Sequence, residues 1–359
     1  MGIGGKKQQQ TAGDNSTQNQ IENQNNVSIS VKNYYGVPST DVVSIAASIY
    51  DQMATHAMKE YTGEAIKTAT DRIKSFGYEL FPRFNKVNGA MEMFKDPKFQ
   101  FWLRDAQITA AKTDRTEDFS LLAELLSCHF LKGDDKKIDA GIHQAINIVD
   151  EIDNDALCAL TVAYAFQYYI PVTDTISDGI TTLDELFEEL IYMSLPDGVS
   201  WLDHMDMLGA LRLSALHKSN SKKILCSRYN VCAGLRQGSE ELDRAYTILD
   251  ENDYPRSFLI KNECVDGYLI LKGALIDDVD DYINDSNVKN QILGLYCKDK
   301  NILDSAKEKF IELWDSYPNL KIARSWWDQI PNWFRITYMG RVLAQTNAKR
   351  VDPDLPDLI

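Results

Sequence analysis

The residues best suited to acid–base or metal chemistry lie in one short run, Asp203-His204-x-Asp206. Imidazole and carboxylate groups move protons and bind metal ions, but a metal site needs three or four ligands that converge. The chain has no HExxH or HxH motif that would supply the missing ligands. We therefore interpret His204, which lies beside Trp201 and Met205, as a structural residue on a helix.

Two other groups of residues have the types found in a nucleophile–base pair or a calcium loop, but their spacing fits neither site. Cys128 and His129 are adjacent, and neighbours on a helix point about 100° apart, which separates a nucleophile from its base. The run Asp277-Asp278-x-Asp280-Asp281 lacks the glycine and the distal glutamate of a calcium loop, which favours a solvated acidic loop. We predict no catalytic residue, no metal ligand and no cofactor. An effector enzyme, a nuclease or hydrolase whose site has no recognisable motif, is the alternative.

Basic residues near the end of the chain raise the question of nucleic-acid binding. Arg335, Arg341, Lys349 and Arg350 accompany a strand or loop that feeds a helix, a pattern that winged-helix domains share. The net charge is −15 and the pI about 4.8, however, and an acidic surface repels phosphate backbones and anionic membranes. A packed terminal helix is the preferred interpretation, and a winged-helix-like nucleic-acid binder is a further alternative.

The same closing segment has the local signals of a buried helix. Thr337 is the expected N-cap, and Gly340 allows the helix to approach a neighbour closely. We expect Ile336, Val342 and Leu343 to be buried.

Three tryptophans, Trp326, Trp327 and Trp333, lie close to Pro331 in the sequence. Aromatic groups this dense line a binding groove or interface in some proteins, and in more of them they form the core of a small module. We expect a core.

Cysteine usage and hydropathy indicate a cytoplasmic protein. The six cysteines are scattered without a CxxC motif, as expected of free buried thiols in a reducing compartment. The start of the chain lacks the apolar region of a signal peptide. The most apolar window, residues 156–170, is shorter than the roughly 18 residues that cross a bilayer, so we predict a buried helix and no membrane contact.

The N-terminal leader differs in composition from the rest of the chain. From Gln8 to Asn26, eleven of nineteen residues are Asn or Gln, and Val27-Ser28-Ile29-Ser30-Val31 then alternates apolar and polar side chains. Three interpretations are open: a disordered polar tail, two strands (about 17–21 and 26–32) that stack on copies from other subunits, or a hairpin packed on its own body. We favour intermolecular pairing, because amide ladders stabilise such stacks. The residues assigned to oligomerisation are Asn15, Gln18, Gln20, Ile21, Val27, Ile29 and Val31.

The remainder predicts a mainly α fold, a multi-helical body in two modules behind the β-prone leader. Apolar residues recur at helical spacing from residue 39 onward, and Asp96-Pro97 and Ser239 are typical helix starts. The turn-rich segment 171–181 suggests division into a leader (1–38), a helical domain (39–172) and a second, mostly helical module (173–359). Thr182-x-x-Glu185 is expected to be a capping box, and 224–229 and 268–271 are possible strands.

The two ends resemble an uncharacterised family of bacterial proteins. The resemblance rests on Gly13-Asp14-Asn15-Ser16 before the amide-rich stretch, and on Ile336-Thr337-x-x-Gly340 in the closing helix. It covers about 40 residues, and it implies no activity that can be transferred. Similar leaders occur on bacterial proteins linked to immunity against phage, so the resemblance implies, by analogy, a sensor or assembly role in defence.

Together these observations predict a cytoplasmic scaffold or sensor without enzymatic activity. Self-association through the leader and contacts with an unidentified protein partner would be its mode of action.

Overall fold

The computed structural model describes residues 18–22, 28–32, 39–59, 61–84, 93, 96–132, 136–171, 173, 175–213, 220–273, 282–331 and 333–355, with side-chain surroundings for all except 18–47 and 129–132. Fourteen α-helices and seven short strands lie in these residues, which confirms the mainly α prediction. The helices are α1 (Ser39–Ala57), α2 (Glu64–Phe84), α3 (Pro97–Lys112), α4 (Thr116–Lys132), α5 (Lys136–Ile148), α6 (Asn154–Tyr168), α7 (Ile176–Leu190), α8 (Ser200–Met207), α9 (Ser221–Arg228), α10 (Glu240–Glu251), α11 (Ser286–Gly294), α12 (Lys300–Asp315), α13 (Pro318–Gln329) and α14 (Tyr338–Val351).

The strands form three small antiparallel sheets in the described part of the chain. They are β1 (Gln18–Glu22), β2 (Ser28–Lys32), β3 (Leu211–Leu213), β4 (Leu235–Arg236), β5 (Leu259–Lys261), β6 (Tyr268–Leu271) and β7 (Phe334–Ile336). Strand β1 pairs with β2, β3 pairs with β7, and β6 lies between β4 and β5. The possible strand at 268–271 is therefore confirmed.

Contacts between Cα atoms divide the chain into two compact units, Met1–Phe119 and Ser120–Ile359. The predicted modules, 39–172 and 173–359, remain a prediction.

In the first unit, α1 and α2 both pack against α3. The core contains Phe76 and Leu80 from α2 with Phe99 and Leu103 from α3, all fully buried. Asp96 caps α3 by accepting a hydrogen bond from the Lys98 amide, and Pro97 is the first helical residue, as the sequence predicts.

Polar contacts then fix α1 in this unit. The Tyr50 hydroxyl donates to the Ile73 carbonyl oxygen at 2.5 Å, and Gln107 Nε2 donates to the Tyr50 carbonyl oxygen at 3.1 Å. Because both acceptors are buried, each bond satisfies a carbonyl group that water does not reach.

The second unit is built around α14, which packs against α5, α6 and α7. Nine of its residues are buried, among them the polar residues Gln345, Thr346 and Asn347. The buried side chains of Thr161 and Asn347 satisfy each other, since Asn347 Nδ2 donates to Thr161 Oγ1 at 2.9 Å. A helix covered on nearly all sides in this way organises the core of the unit.

The start of α14 confirms the local prediction. Thr337 is the N-cap, and its Oγ1 accepts a hydrogen bond from the Gly340 amide at 3.1 Å. Gly340 passes so close to the Ala210 carbonyl oxygen that a Cβ atom would overlap it. Residues Ile336, Val342 and Leu343 are buried, as expected.

The apolar window that begins at Ala156 forms the buried helix α6. Ten of its residues are buried, and helices α7, α8, α13 and α14 pack against it. Among the described residues, no helix is long and apolar enough to cross a membrane.

Three local predictions in the second unit are wrong. Helix α7 begins at Ile176, where Thr175 Oγ1 accepts from the Asp178 amide, so residues 176–181 are helical and Thr182 and Glu185 lie inside the helix. Residues 224–228 belong to α9 instead of a strand and Tyr229 is its C-cap, because Asn220 starts that helix by accepting from the Lys223 amide. In α7 and in α9 alike, an N-cap residue upstream of the predicted feature determines where the helix starts.

Candidate functional site

The leader contains a two-stranded ribbon, β1 paired with β2, close to the strands that the sequence predicts. The pairing is antiparallel within one chain, with Ile21 opposite Ile29. Five of the predicted oligomerisation residues, Gln18, Gln20, Ile21, Ile29 and Val31, are in these strands. Asn15 and Val27 lie outside the described residues.

The register separates the ribbon into two kinds of position. Ile21↔Ile29 and Asn19↔Val31 alternate with the three polar pairs Gln18↔Lys32, Gln20↔Ser30 and Glu22↔Ser28. Directly opposed positions share a face of an antiparallel pair, and the faces alternate along each strand. One set of positions is therefore mostly apolar, and the other is rich in amide and hydroxyl groups.

The run Asp203-His204-x-Asp206 does not converge on one place. Asp203 is exposed on α8. His204 Nε2 lies 3.4 Å from the amide nitrogen of Asp153, which precedes α6. Asp206 Oδ1 lies 3.6 Å from Arg212 Nη1 on β3. The three side chains thus have separate surroundings, and the carboxylate near His204 is that of Asp153, whose Oδ2 lies 4.0 Å from His204 Nε2.

The other predicted combinations have different outcomes. Residues 277–281 and the side chain of His129 lie outside the described residues, so neither the acidic run nor the Cys128–His129 pair is described. Cys128 is buried with its Sγ 3.9 Å from Thr346 Oγ1. No group of three or more His, Cys, Asp or Glu residues that could hold a metal ion is present in the described part of the chain.

The basic residues of the closing segment are distributed over several surroundings. Arg335 lies on β7 directly opposite Arg212 of β3, and both are exposed. Arg341 lies near the Tyr168 ring, whereas Arg350 donates to Asn347 Oδ1 at the other end of α14. Nine residues separate Arg341 from Arg350, which places them about 180° apart around the helix.

Two of the three tryptophans are core residues, as expected. Trp327 stacks on Phe166 with ring centroids 5.1 Å apart, and Trp326 packs 5.7 Å from Trp201 while its Nε1 donates to the Pro196 carbonyl oxygen. Trp333 differs, because 37% of its surface is exposed.

A half-open cleft lies at the N-terminus of α7, between that helix and strands β5 and β6. Thr175, Ile176, Lys261 and Glu263 are among the residues that line it. A Glu263 carboxylate oxygen accepts from the Ser177 amide at 2.8 Å and from its hydroxyl at 2.9 Å. The protein's own carboxylate therefore takes the position at the helix N-terminus that favours an anion.

Sequence reasoning missed this cleft. Glu263 and Ser177 are 86 residues apart, and neither belongs to a recognisable motif. The sequence indicates only the start of α7, since Thr175 precedes Asp178 at the spacing of an N-cap.

Comparison with known proteins supports a family assignment. A model of an uncharacterised protein family matches residues 41–358, and this range begins after the β1–β2 ribbon. No curated protein and no solved structure matches the chain.

Proposed function

The chain belongs to this uncharacterised family, since the match covers most of its length, and we propose that it is a non-enzymatic scaffold or sensor. It self-associates through the β1–β2 ribbon and binds a protein partner through its helical body. The pairing of β1 with β2 carries the proposal, because a two-stranded ribbon has two edges.

Physical chemistry supports assembly at these edges. A lone two-stranded hairpin is marginally stable in water, and each edge presents unpaired backbone N–H and C=O groups that can pair with another chain. Cover of the apolar positions Ile21, Ile29 and Val31 by a second copy would contribute favourable burial. Amide side chains at Gln18 and Gln20 can bond to the same residues in stacked copies.

An exposed aromatic residue supports the proposal of a protein partner. Trp333 is 37% exposed and precedes Phe334, which is paired with the exposed Leu213 across β3 and β7. Tryptophan is enriched among the residues that contribute most to protein interfaces. The cytoplasmic location is likewise part of the proposal, and the six free cysteines support it.

A role in bacterial defence against phage is the most specific part of the proposal. Its support is the resemblance of the leader to leaders on defence proteins, and that stretch precedes the range matched by the family model.

Light scattering of three chains tests the assembly. We expect the full chain to be multimeric, a chain starting at Ser39 to be monomeric, and a chain starting at Gly13, which keeps both strands, to behave as the full chain does. In the full chain, Ile29→Lys should also give a monomer, because stacked copies would bring like charges about 5 Å apart. If the full chain and the chain from Ser39 are the same monomer, the assembly proposal is wrong.

A further inference from the structure

Two arginines from different helices lie beside one tyrosine at the end of α6. The guanidinium carbon of Arg341, in the first turn of α14, is 5.1 Å from the centre of the Tyr168 ring. That of Arg228, the last residue of α9, is 5.9 Å from the same centre. Arg341 also donates from Nη2 to the Tyr168 hydroxyl at 3.4 Å. These contacts bring two positive charges near a side chain that is itself 38% exposed.

A second tyrosine indicates that both arginines face the same region. The Tyr164 ring lies 4.9 Å from the Tyr168 ring. Burial raises the pKa of Tyr164, while the charges of Arg341 and Arg228 both act to lower it. Both guanidinium groups therefore act electrostatically on Tyr164 as well as lying beside the Tyr168 ring.

Neither arginine has a carboxylate partner among the residues that the structure describes. This contrasts with Arg324, which forms a bidentate pair with Asp315 at 2.6 and 2.5 Å. Arg228 Nε is buried and has no hydrogen-bond partner. The chain has 53 acidic and 38 basic residues, so unpaired arginines are not explained by a shortage of acids.

A buried donor without a partner is unfavourable, and an uncompensated charge is more so. Burial also lowers the pKa of Arg228, which shows that its charged form is poorly solvated. Tyr169, which packs edge-on against Tyr164, has a buried hydroxyl that likewise lacks a partner. Burial raises the pKa of Tyr169, and the charge of the nearby Asp352 raises it further.

We propose that Arg228 and Arg341, both beside the Tyr168 ring, bind a phosphate group that carries two negative charges. The two guanidinium groups balance that charge, and their forked N–H donors match the geometry of phosphate oxygens. The Tyr168 hydroxyl accepts from Arg341 and keeps its own hydrogen, so it adds a neutral donor at the same place. The shared chemistry is a phosphate monoester, whether free or part of a larger molecule, and the inference does not depend on assembly through the ribbon.

Calorimetric titration of the full chain tests this site. The probes are inorganic phosphate, phenyl phosphate and acetate at constant ionic strength. We expect saturable binding of one phosphate or phenyl phosphate per chain, and none of acetate. Arg341→Gln and Arg228→Gln should each weaken it at least about tenfold, because each substitution removes hydrogen bonds between charged groups. Tighter binding of phenyl phosphate than of phosphate would identify an ester as the ligand.

The matched control is Arg335→Gln, which removes an exposed arginine of the same unit and should leave binding unchanged. Arg341 is exposed on α14, so its replacement keeps the test valid if Arg228→Gln does not fold. Equal binding of acetate would overturn the assignment to phosphate. Absence of saturable binding, or equal weakening by Arg335→Gln, would overturn the site.

Discussion

Gly340 lies where α14 passes close to the backbone just before β3. Its hydrogen atom faces the Ala210 carbonyl oxygen, and a methyl group there would overlap both that oxygen and the Ile336 side chain. We expect Gly340→Ala to lower the free energy of unfolding by about 1–3 kcal/mol, since the backbone must shift to relieve the overlap. Urea unfolding followed by circular dichroism measures this change.

Gly294, the last residue of α11, provides the control. A Cβ atom there meets nothing within 4 Å, so Gly294→Ala should be neutral or stabilise the protein by up to about 1 kcal/mol. Equal effects of the two substitutions would show that helix propensity, and not the contact with Ala210, determines the result.

Residue-level prediction from the sequence succeeds where the signal is local. The Thr337 cap, the close approach at Gly340 and the burial of Leu343 all follow from a short pattern, and all are confirmed. The Arg341–Tyr168 contact joins residues 173 positions apart. No short pattern indicates such a contact, because it results from the packing of α14 on α6.

Three helices begin against carboxylates supplied by distant segments. Glu263 accepts from the second residue of α7, Asp328 from the first residue of α9, and Asp184 from the amides of Asn319 and Leu320 in α13. The first N–H groups of a helix have no partner within it, and negative charge near them is favourable. Part of the acidic excess of the chain thus stabilises helix starts.

Asp184 gives the clearest test at this scale, because Tyr317 provides no side-chain cap for α13. Asp184→Ala should reduce the free energy of unfolding by about 1–2 kcal/mol, as loss of a cap does. Thermal and urea unfolding measure the loss. Glu188→Ala removes an exposed carboxylate from the same helix and should change stability by less than about 0.5 kcal/mol. If Glu188→Ala lowered the free energy of unfolding as much as Asp184→Ala does, the loss would result from the change in net charge and not from the cap.

Element prediction fails where distant contacts or earlier caps decide. Thr182 and Glu185 fit a capping box, but Thr175 has already started α7 and the box lies within the helix. Apolar periodicity identified most helices, because burial of one face imposes it. It did not identify α9, whose side chains have no strong periodic pattern and whose cap, Asn220, decides its conformation.

At the scale of the whole molecule, burial keeps the thiols protonated. It raises the pKa of Cys158 to about 11, and those of Cys232 and Cys264 to about 12. In the unfolded chain these thiols ionise near pH 8.5. Their contribution to stability is therefore complete below about pH 8.5 and is lost as the pH rises through the folded values. We expect the urea midpoint to fall above about pH 8.5.

Alkylation provides an independent measurement of the same property. With iodoacetamide near pH 8.5, the three thiols should react slowly in the native protein and rapidly in urea, since the thiolate is the nucleophile. Mass spectrometry after proteolysis reports each cysteine separately. Rapid labelling of Cys158 in the native state would show that the core around α6 opens readily.

The position of α14 in the chain has a consequence for synthesis. Helices α5 and α6 are made first, and the helix that covers their apolar faces begins 190 residues after the end of α5 and 170 after the end of α6. At ribosomal rates of about 5–20 residues per second, roughly 10–40 seconds pass between synthesis of these faces and synthesis of the helix that covers them. During this interval the nascent chain depends on temporary packing or on chaperones, and the second unit completes its core only after residue 351 has left the ribosome.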